Sequence, residues 1–159
     1  MFAVTWYINR KFSAPAVTTE ALARQLDSSD APIELLDCRT QEEYRVSRLP
    51  GAKHLDFNCS EAALQEYAQS VSADNVVCYC SVGYRSAILT NRLNAALEGK
   101  KAVNLEGSIF KWANEGRQVN GAGGKVHPYD RWASVISTVQ KCLQKKSLSS
   151  FFSVSTANF

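Results

Sequence analysis

The chain has 159 residues and a net charge of +3, which suits one domain and is too little charge to imply a nucleic-acid partner. Hydrophobic residues make up 45% of it and charged residues 21%, enough to bury an ordinary core, which excludes a disordered chain; no apolar run approaches the length of a membrane span. Five cysteines, an odd number without framework spacing, point to a reduced intracellular protein, cytoplasmic or within an organelle, rather than to a secreted disulfide scaffold.

Residues 1–16 read as an N-terminal arm. The apolar run Phe2–Ile8 lacks a basic leader and is followed by Arg10 and Lys11, which argues against a secretory signal. The arm is expected to pack on the domain or to add an edge strand. Thr18 and Thr19 precede a short helix with Leu22 and Leu26 four apart. Ile33 to Leu36 is a strand of the buried type, and Asp37 and Arg39 end it at the carboxyl side, where parallel sheets present function. Glu42 to Val46 is a brief helix stopped before Pro50-Gly51. Ala52 to Leu55 is a short strand. His54 has no acid–base partners near it in sequence and reads as a packed or surface residue. Ser60 caps a helix with Leu64, Tyr67, Ala68 and Val71 on one face.

Val76 to Tyr79 is a β-rich apolar run, long enough for a strand buried on both faces. It ends in Cys80. Ser81, Val82, Gly83, Tyr84 and Arg85 follow, and a helical pattern begins at Ser86 with Leu89, Leu93, Ala96 and Leu97 on one face and Gly99 near its end. The predicted unit is strand, tight loop, helix. A loop folded over a helix N-terminus turns backbone N–H groups inward, and the helix dipole and Arg85 add positive potential. A cysteine beneath such a cradle is expected to be largely thiolate and to face an anion-binding pocket. Spacing alone leaves a second reading open, in which Cys80 is a small buried apolar side chain.

Lys101 to Leu105 is a further strand, and Ser108 opens a helix bearing Ile109, Trp112 and Ala113. Asn120 to Gly124 is a glycine-rich boundary. Beyond it Asp130 caps a helix with Trp132, Val135, Ile136, Val139 and Leu143 on one stripe, ending in Lys141, Lys145 and Lys146. The Ser-rich tail from Ser147 reads as loose. The expected organisation is therefore an arm (1–16), a domain (17–118), a linker with a docked C-terminal helix (119–146) and a flexible tail (147–159). Strands alternate with helices, which predicts an α/β fold: a parallel sheet with helices on both faces. Cys78 and Cys80 lack the usual zinc spacing, and only His54 and His127 exist to help, so no metal is expected. Cys38 and Cys80 end strands at the same sheet edge; Cys38 packs there or serves as a resolving thiol.

Four stretches resemble the rhodanese family of sulfurtransferases, and they occur in the family's order. Cys80-Ser81-Val82-Gly83-Tyr84-Arg85-Ser86 is similar to its active-site loop. Leu35-Leu36-Asp37-Cys38-Arg39 with Glu42-Glu43-Tyr44 resembles its first signature, and Leu49-Pro50-Gly51-Ala52 the element after it. Leu105 to Gly116 resembles the glycine-to-tryptophan motif that closes the domain. Ser47-Arg48 departs from the family's more frequent Gly-His. The resemblance implies a rhodanese-like fold with a five-stranded parallel sheet, no cofactor, and Cys80 as a nucleophile. Cys80 would take a sulfane sulfur from a small anionic donor such as thiosulfate and pass it to a thiol, cyanide or a protein cysteine. Arg85 would neutralise the donor and tie the loop to the helix; Ser81, Val82, Gly83, Tyr84 and Ser86 would form the binding loop; Asp37 and Arg39 would brace the domain. The family's phosphatase relatives carry a loop one residue longer than the six from Cys80 to Arg85, so the shorter loop favours sulfur over phosphate. Two alternatives stand beside this reading: a non-catalytic rhodanese module used for binding, and a cysteine phosphatase or arsenate reductase.

Overall fold

Three apolar runs with β-branched residues form the middle of a parallel sheet, and the alternation of their side chains decides which helices cover each face. A computed structural model describes residues 2–28 and 32–121. In chain order the elements are α1 (Phe2–Phe12), β1 (Ala16–Val17), α2 (Thr19–Ser28), β2 (Ile33–Asp37), α3 (Gln41–Val46), β3 (Ser47–Arg48) and β4 (Lys53–His54). They continue with α4 (Glu61–Ser70), β5 (Asn75–Tyr79), α5 (Tyr84–Ala96), β6 (Lys101–Leu105), α6 (Ser108–Asn114) and β7 (Asn120–Gly121).

Five strands make one sheet in the order β1-β6-β5-β2-β4, every neighbouring pair parallel. The sequence-based expectation of a five-stranded parallel sheet with helices on both faces is met. β5 is central. Its Val76 and Cys78, with Cys80 just beyond, face one layer together with Leu36, Cys38, Leu64, Leu89 and Leu93, so α4 and α5 cover that side. Its Val77 and Tyr79 face the other layer with Leu22, Leu35, Leu105, Ile109 and Trp112, so α2 and α6 cover that side. The register pairs Leu36 with Cys78 and Asp37 with Tyr79, and the Cys38 amide donates to the Tyr79 carbonyl at 2.8 Å. The carboxyl ends of β2 and β5 thus lie side by side. That places Asp37, Cys38, Arg39 and Cys80 at one edge of the sheet.

The N-terminal run folds as helix α1, not as an edge strand. The edge position is taken by β1, whose Ala16 and Val17 pair with Asn104 and Leu105. α1 lies against α5 instead: Ile8 is buried, the Phe12 ring meets the Tyr84 ring edge-on at 4.9 Å, and Asn91 Nδ2 donates to the Phe12 carbonyl at 2.8 Å. A second, two-stranded antiparallel sheet pairs β3 with β7. Asn120 and Gly121, at the start of the glycine-rich boundary, are held in that ribbon. The Val46 carbonyl would lie 2.0 Å from a Cβ on Gly121, a space only glycine allows. The rest of that boundary, the helix predicted from Asp130 and the tail from Ser147 lie outside the described residues. Among the described residues no helix is long and apolar enough to cross a membrane.

Candidate active site

The chain turns sharply after β5, and the turn is built on Gly83. This residue is the N-cap of α5 at φ +105°, a region that L side chains rarely adopt. The turn brings the Gly83 amide to 3.1 Å from Cys80 Sγ. Cys80 is 1% exposed. Burial pushes its thiol up, but the Arg85 charge, the Ser86 hydroxyl and the amides of Ser86 and Val82 outweigh burial and hold it below the ordinary cysteine range. The Gly83 amide at 3.1 Å and the Arg85 charge thus both favour the ionised form of this buried sulfur.

The outside of the same loop is held by α6 and β6. The amides of Ile109 and Phe110 donate to the carbonyls of Cys80 and Ser81, each at 3.2 Å. The Cys80 amide donates to Ser108 Oγ at 3.1 Å, and that hydroxyl donates to the Leu105 carbonyl at 3.1 Å. Asn104 Nδ2 donates to the Gly83 carbonyl at 3.2 Å, and Asn104 Oδ1 accepts from the Ser86 hydroxyl at 2.6 Å. The carbonyls of Cys80, Ser81 and Gly83 are thus bonded away from the sulfur, and the Gly83 amide points toward it.

Arg85, the second residue of α5, reaches Glu43 on α3. Its two terminal nitrogens donate to the two carboxylate oxygens at 2.8 and 2.9 Å, the bidentate fork that a guanidinium offers and an ammonium does not. Nη2 also donates to Ser81 Oγ at 3.0 Å, and the Ser81 hydroxyl donates to Glu43 Oε1 at 3.1 Å. Glu43 is 4% exposed. Burial pushes its carboxyl up, yet the hydrogen bonds and charge of Arg85, with the Thr40 amide, bring it below the usual carboxylate range. Thr40 and Glu43 form a capping box at the start of α3.

The two supporting residues form a separate buried pair. Arg39 Nε and Nη2 donate to Asp37 at 2.9 and 2.6 Å, and Nη2 also donates to the Ser47 carbonyl. This ties the end of β2 to the β3–β7 ribbon. At the departure from the family pattern, Arg48 stacks 4.9 Å over the Tyr44 ring and bonds the Tyr44 carbonyl at 3.3 Å. His54 packs beside Tyr44 and contacts the Arg39 carbonyl at 2.7 Å. Cys38 and Cys78 share the buried layer of Cys80. Burial, then the Cys78 thiol, then the charge of Cys80, push the Cys38 thiol well up, which makes Cys38 a poor nucleophile at rest.

Of the residues singled out from sequence, Val82, Gly83, Arg85 and Ser86 act on the Cys80 sulfur, while the Ser81 hydroxyl is held between Glu43 and Arg85. Tyr84 belongs to the same loop, but its ring packs on Phe12 and its hydroxyl accepts from Lys11 Nζ at 3.3 Å. Glu43, Asn104 and Ser108 were not singled out. Thr40-x-x-Glu43 was readable as a capping box, but its reach to Arg85, 42 positions away, was not. Among the described residues no three His, Cys, Asp or Glu side chains converge so as to hold a metal ion.

A family model, the rhodanese-like domain, matches residues 18–115. The adenylyltransferase and sulfurtransferase UBA4 of Scheffersomyces stipitis is 26% identical over 92 residues, 54% of this chain and 20% of that protein. The tRNA sulfurtransferase of Desulfurococcus amylolyticus is 32% identical over 106 residues, 64% of this chain and 19% of that protein. The chain thus spans about a fifth of the length of either relative. The crystal structure of the BH2092 protein of Bacillus halodurans shares the fold with a TM-score of 0.63 at 16% identity, over 82% of this chain and 96% of that one.

Proposed function

The chain belongs to the rhodanese-like domain family, and from that premise we propose that it is a sulfurtransferase working through a persulfide on Cys80. The observation that carries this reading is the buried thiol with the Gly83 amide 3.1 Å from its sulfur. The Cys80 thiolate attacks the outer sulfur of a donor such as thiosulfate. An S–S bond forms at Cys80, the donor's own S–S bond breaks, and sulfite leaves with the electron pair. An acceptor thiol, cyanide or protein cysteine then takes the outer sulfur and regenerates the thiolate. The loop amides stabilise negative charge on Cys80 before the transfer and on the persulfide after it. A reducing, cytoplasmic setting suits this chemistry, since it keeps the thiol free.

The test is intact mass after brief incubation with thiosulfate and, separately, with glutathione persulfide. The parent is expected to gain one sulfur, mapped to Cys80 by digestion. Cys80→Ser, a near-isostere, is expected to keep the fold and gain none. A parent that gains no sulfur from either donor, or a serine variant that gains it equally, overturns the reading.

A further inference from the structure

We propose that Glu43 determines which sulfur donor the site accepts: by closing on Arg85 it favours a donor with at most one negative charge at the reacting end, a persulfide, over dianionic thiosulfate. This rests on the sulfurtransferase reading above.

Arg85 is the single charged residue between Cys80 and Ser86. Read alone, it is a cation waiting for an anionic donor. In the fold its fork is closed on Glu43 at 2.8 and 2.9 Å. Glu43 is fixed from behind by the Thr40 amide at 3.2 Å and from the side by the Ser81 hydroxyl at 3.1 Å. Glu43 is buried and the Arg85 side chain is 16% exposed, so the pair is only partly screened and its two charges offset each other at close range.

Among the described residues, the other cations near the loop are engaged as well. Arg39 is closed on Asp37. Arg92 donates to the carbonyls of Phe57 and Cys59 and to Glu61. Lys11 donates to Tyr84 from an exposed position, where water and salt screen it. What remains at the thiol is a set of backbone amides and the start of α5, suited to one charge spread over sulfur.

Thiosulfate brings two negative charges to a thiolate that already carries one. At its reacting end a persulfide R–S–SH brings none, or one when ionised, and the carboxylates of a glutathione carrier lie remote from the sulfur that reacts. In the persulfide reaction the Cys80–S bond forms as the donor's S–S bond breaks. The electron pair leaves on RS⁻, and the proton of the transferred sulfur stays with the new persulfide. No oxidant or reductant is consumed. The two donors thus make the same bonds and differ in the charge that the site must accept. Glu43 raises the cost of the second negative charge, since like charges held close at a buried thiol repel.

The experiment measures stopped-flow loading of Cys80 by thiosulfate and by glutathione persulfide, in the parent and in Glu43→Gln. Glutamine keeps an oxygen for Arg85 and removes the charge. The ratio of second-order rate constants, thiosulfate over persulfide, is expected to rise by at least about tenfold in Glu43→Gln at low ionic strength. A role confined to holding the loop would slow both donors in parallel and leave the ratio in place. The parent supplies a second measurement that needs no variant. Its loading by thiosulfate is expected to accelerate as sodium chloride is added, because like charges are being screened. A ratio within a factor of about two of the parent's, or parent loading by thiosulfate that slows with salt, overturns the role of Glu43 and leaves sulfur transfer standing. Loading of the parent by neither donor overturns the sulfurtransferase reading itself.

Discussion

Gly83→Ala separates two reasons for a glycine that a sequence cannot tell apart. One is room: a Cβ at Gly83 would sit 3.5 Å from Asn104 Nδ2, 3.6 Å from the Leu105 carbonyl and 3.8 Å from Ser108 Oγ. Those are ordinary contacts, so the cavity accepts a methyl group. The other is the backbone: φ is +105°, beyond even the left-handed helical region that non-glycine residues occasionally visit. Holding alanine there costs about 1–3 kcal/mol. With a urea slope near 2 kcal/mol/M, the midpoint falls by roughly 0.5–1.5 M at unchanged slope. Relief of the strain turns the peptide that now aims its N–H at Cys80 Sγ. Loading of Cys80 with sulfur is therefore expected to slow by more than about tenfold, the loss of roughly one charge-assisted hydrogen bond. Gly99→Ala is the control. It has φ +68° and nothing within 4 Å of a new Cβ, so it is expected to lose about 1 kcal/mol of stability with unaltered loading. If Gly83→Ala unfolds at the parent midpoint and loads at the parent rate, the positive φ is not what shapes the cradle.

Two further expectations concern the charges. Arg85→Lys keeps a cation but cannot bond both oxygens of Glu43 and Ser81 Oγ at once; kcat/KM for sulfur transfer is expected to drop by more than about tenfold, about 1.4 kcal/mol, and parent kinetics in this variant would refute the fork argument. The pH profile of Cys80 alkylation by iodoacetamide is expected to have its midpoint below that of a free cysteine, since the Arg85 charge and the Ser86 and loop-amide hydrogen bonds outweigh burial. Arg85→Gln removes one of the causes of that lowering and is expected to move the midpoint up. The sign in stability follows: a folded pKa below the unfolded one stabilises the fold above the unfolded value, and this contribution is lost as pH falls through the folded value. A midpoint at or above the free-cysteine value in the parent would remove the thiolate from the mechanism.

The sheet was readable because its central strands are buried on both faces. Ile33 to Leu36 and Val76 to Tyr79 were predicted within one residue at either end, and Lys101 to Leu105 matches β6. Local chemistry also marked Ser60 as the cap of α4, where it accepts from the Ala63 amide at 3.2 Å, and Ser108 as the first residue of α6. The N-terminal arm was left between packing on the domain and adding an edge strand, because a short β-rich run carries no period long enough to separate the two; it packs on the domain, as helix α1. What the sequence concealed is the long-range half of the site. Glu43 carries a complete local explanation as the partner of Thr40 in a capping box. Its second bond, to Arg85, is set by the sheet order that brings α3 beside the loop. Asn104 reads as an ordinary strand residue until β6 is placed next to β5, where its side chain bridges the Gly83 carbonyl and the Ser86 hydroxyl.

The backbone of the loop explains why its length matters for the chemistry. A tight turn cannot satisfy its own polar groups, so each buried one needs a named partner. The carbonyls of Cys80 and Ser81 find theirs on Ile109 and Phe110, consecutive residues in the first turn of α6. The Gly83 carbonyl finds Asn104 Nδ2 and the Ala87 amide. The Cys80 amide finds Ser108 Oγ. Helix α6 therefore uses its own unpaired first-turn N–H groups to hold the outer side of the loop, and the Gly83 amide is left for sulfur. The outer bonds fix a register between two segments far apart in sequence. One added residue would put the Ser81 carbonyl out of step with Phe110, or the Gly83 carbonyl out of step with Asn104, as well as widening the space above Cys80. The size of the cradle is thus set by the docking of α6 as much as by the loop, and a cradle sized for a phosphate would require both to move together.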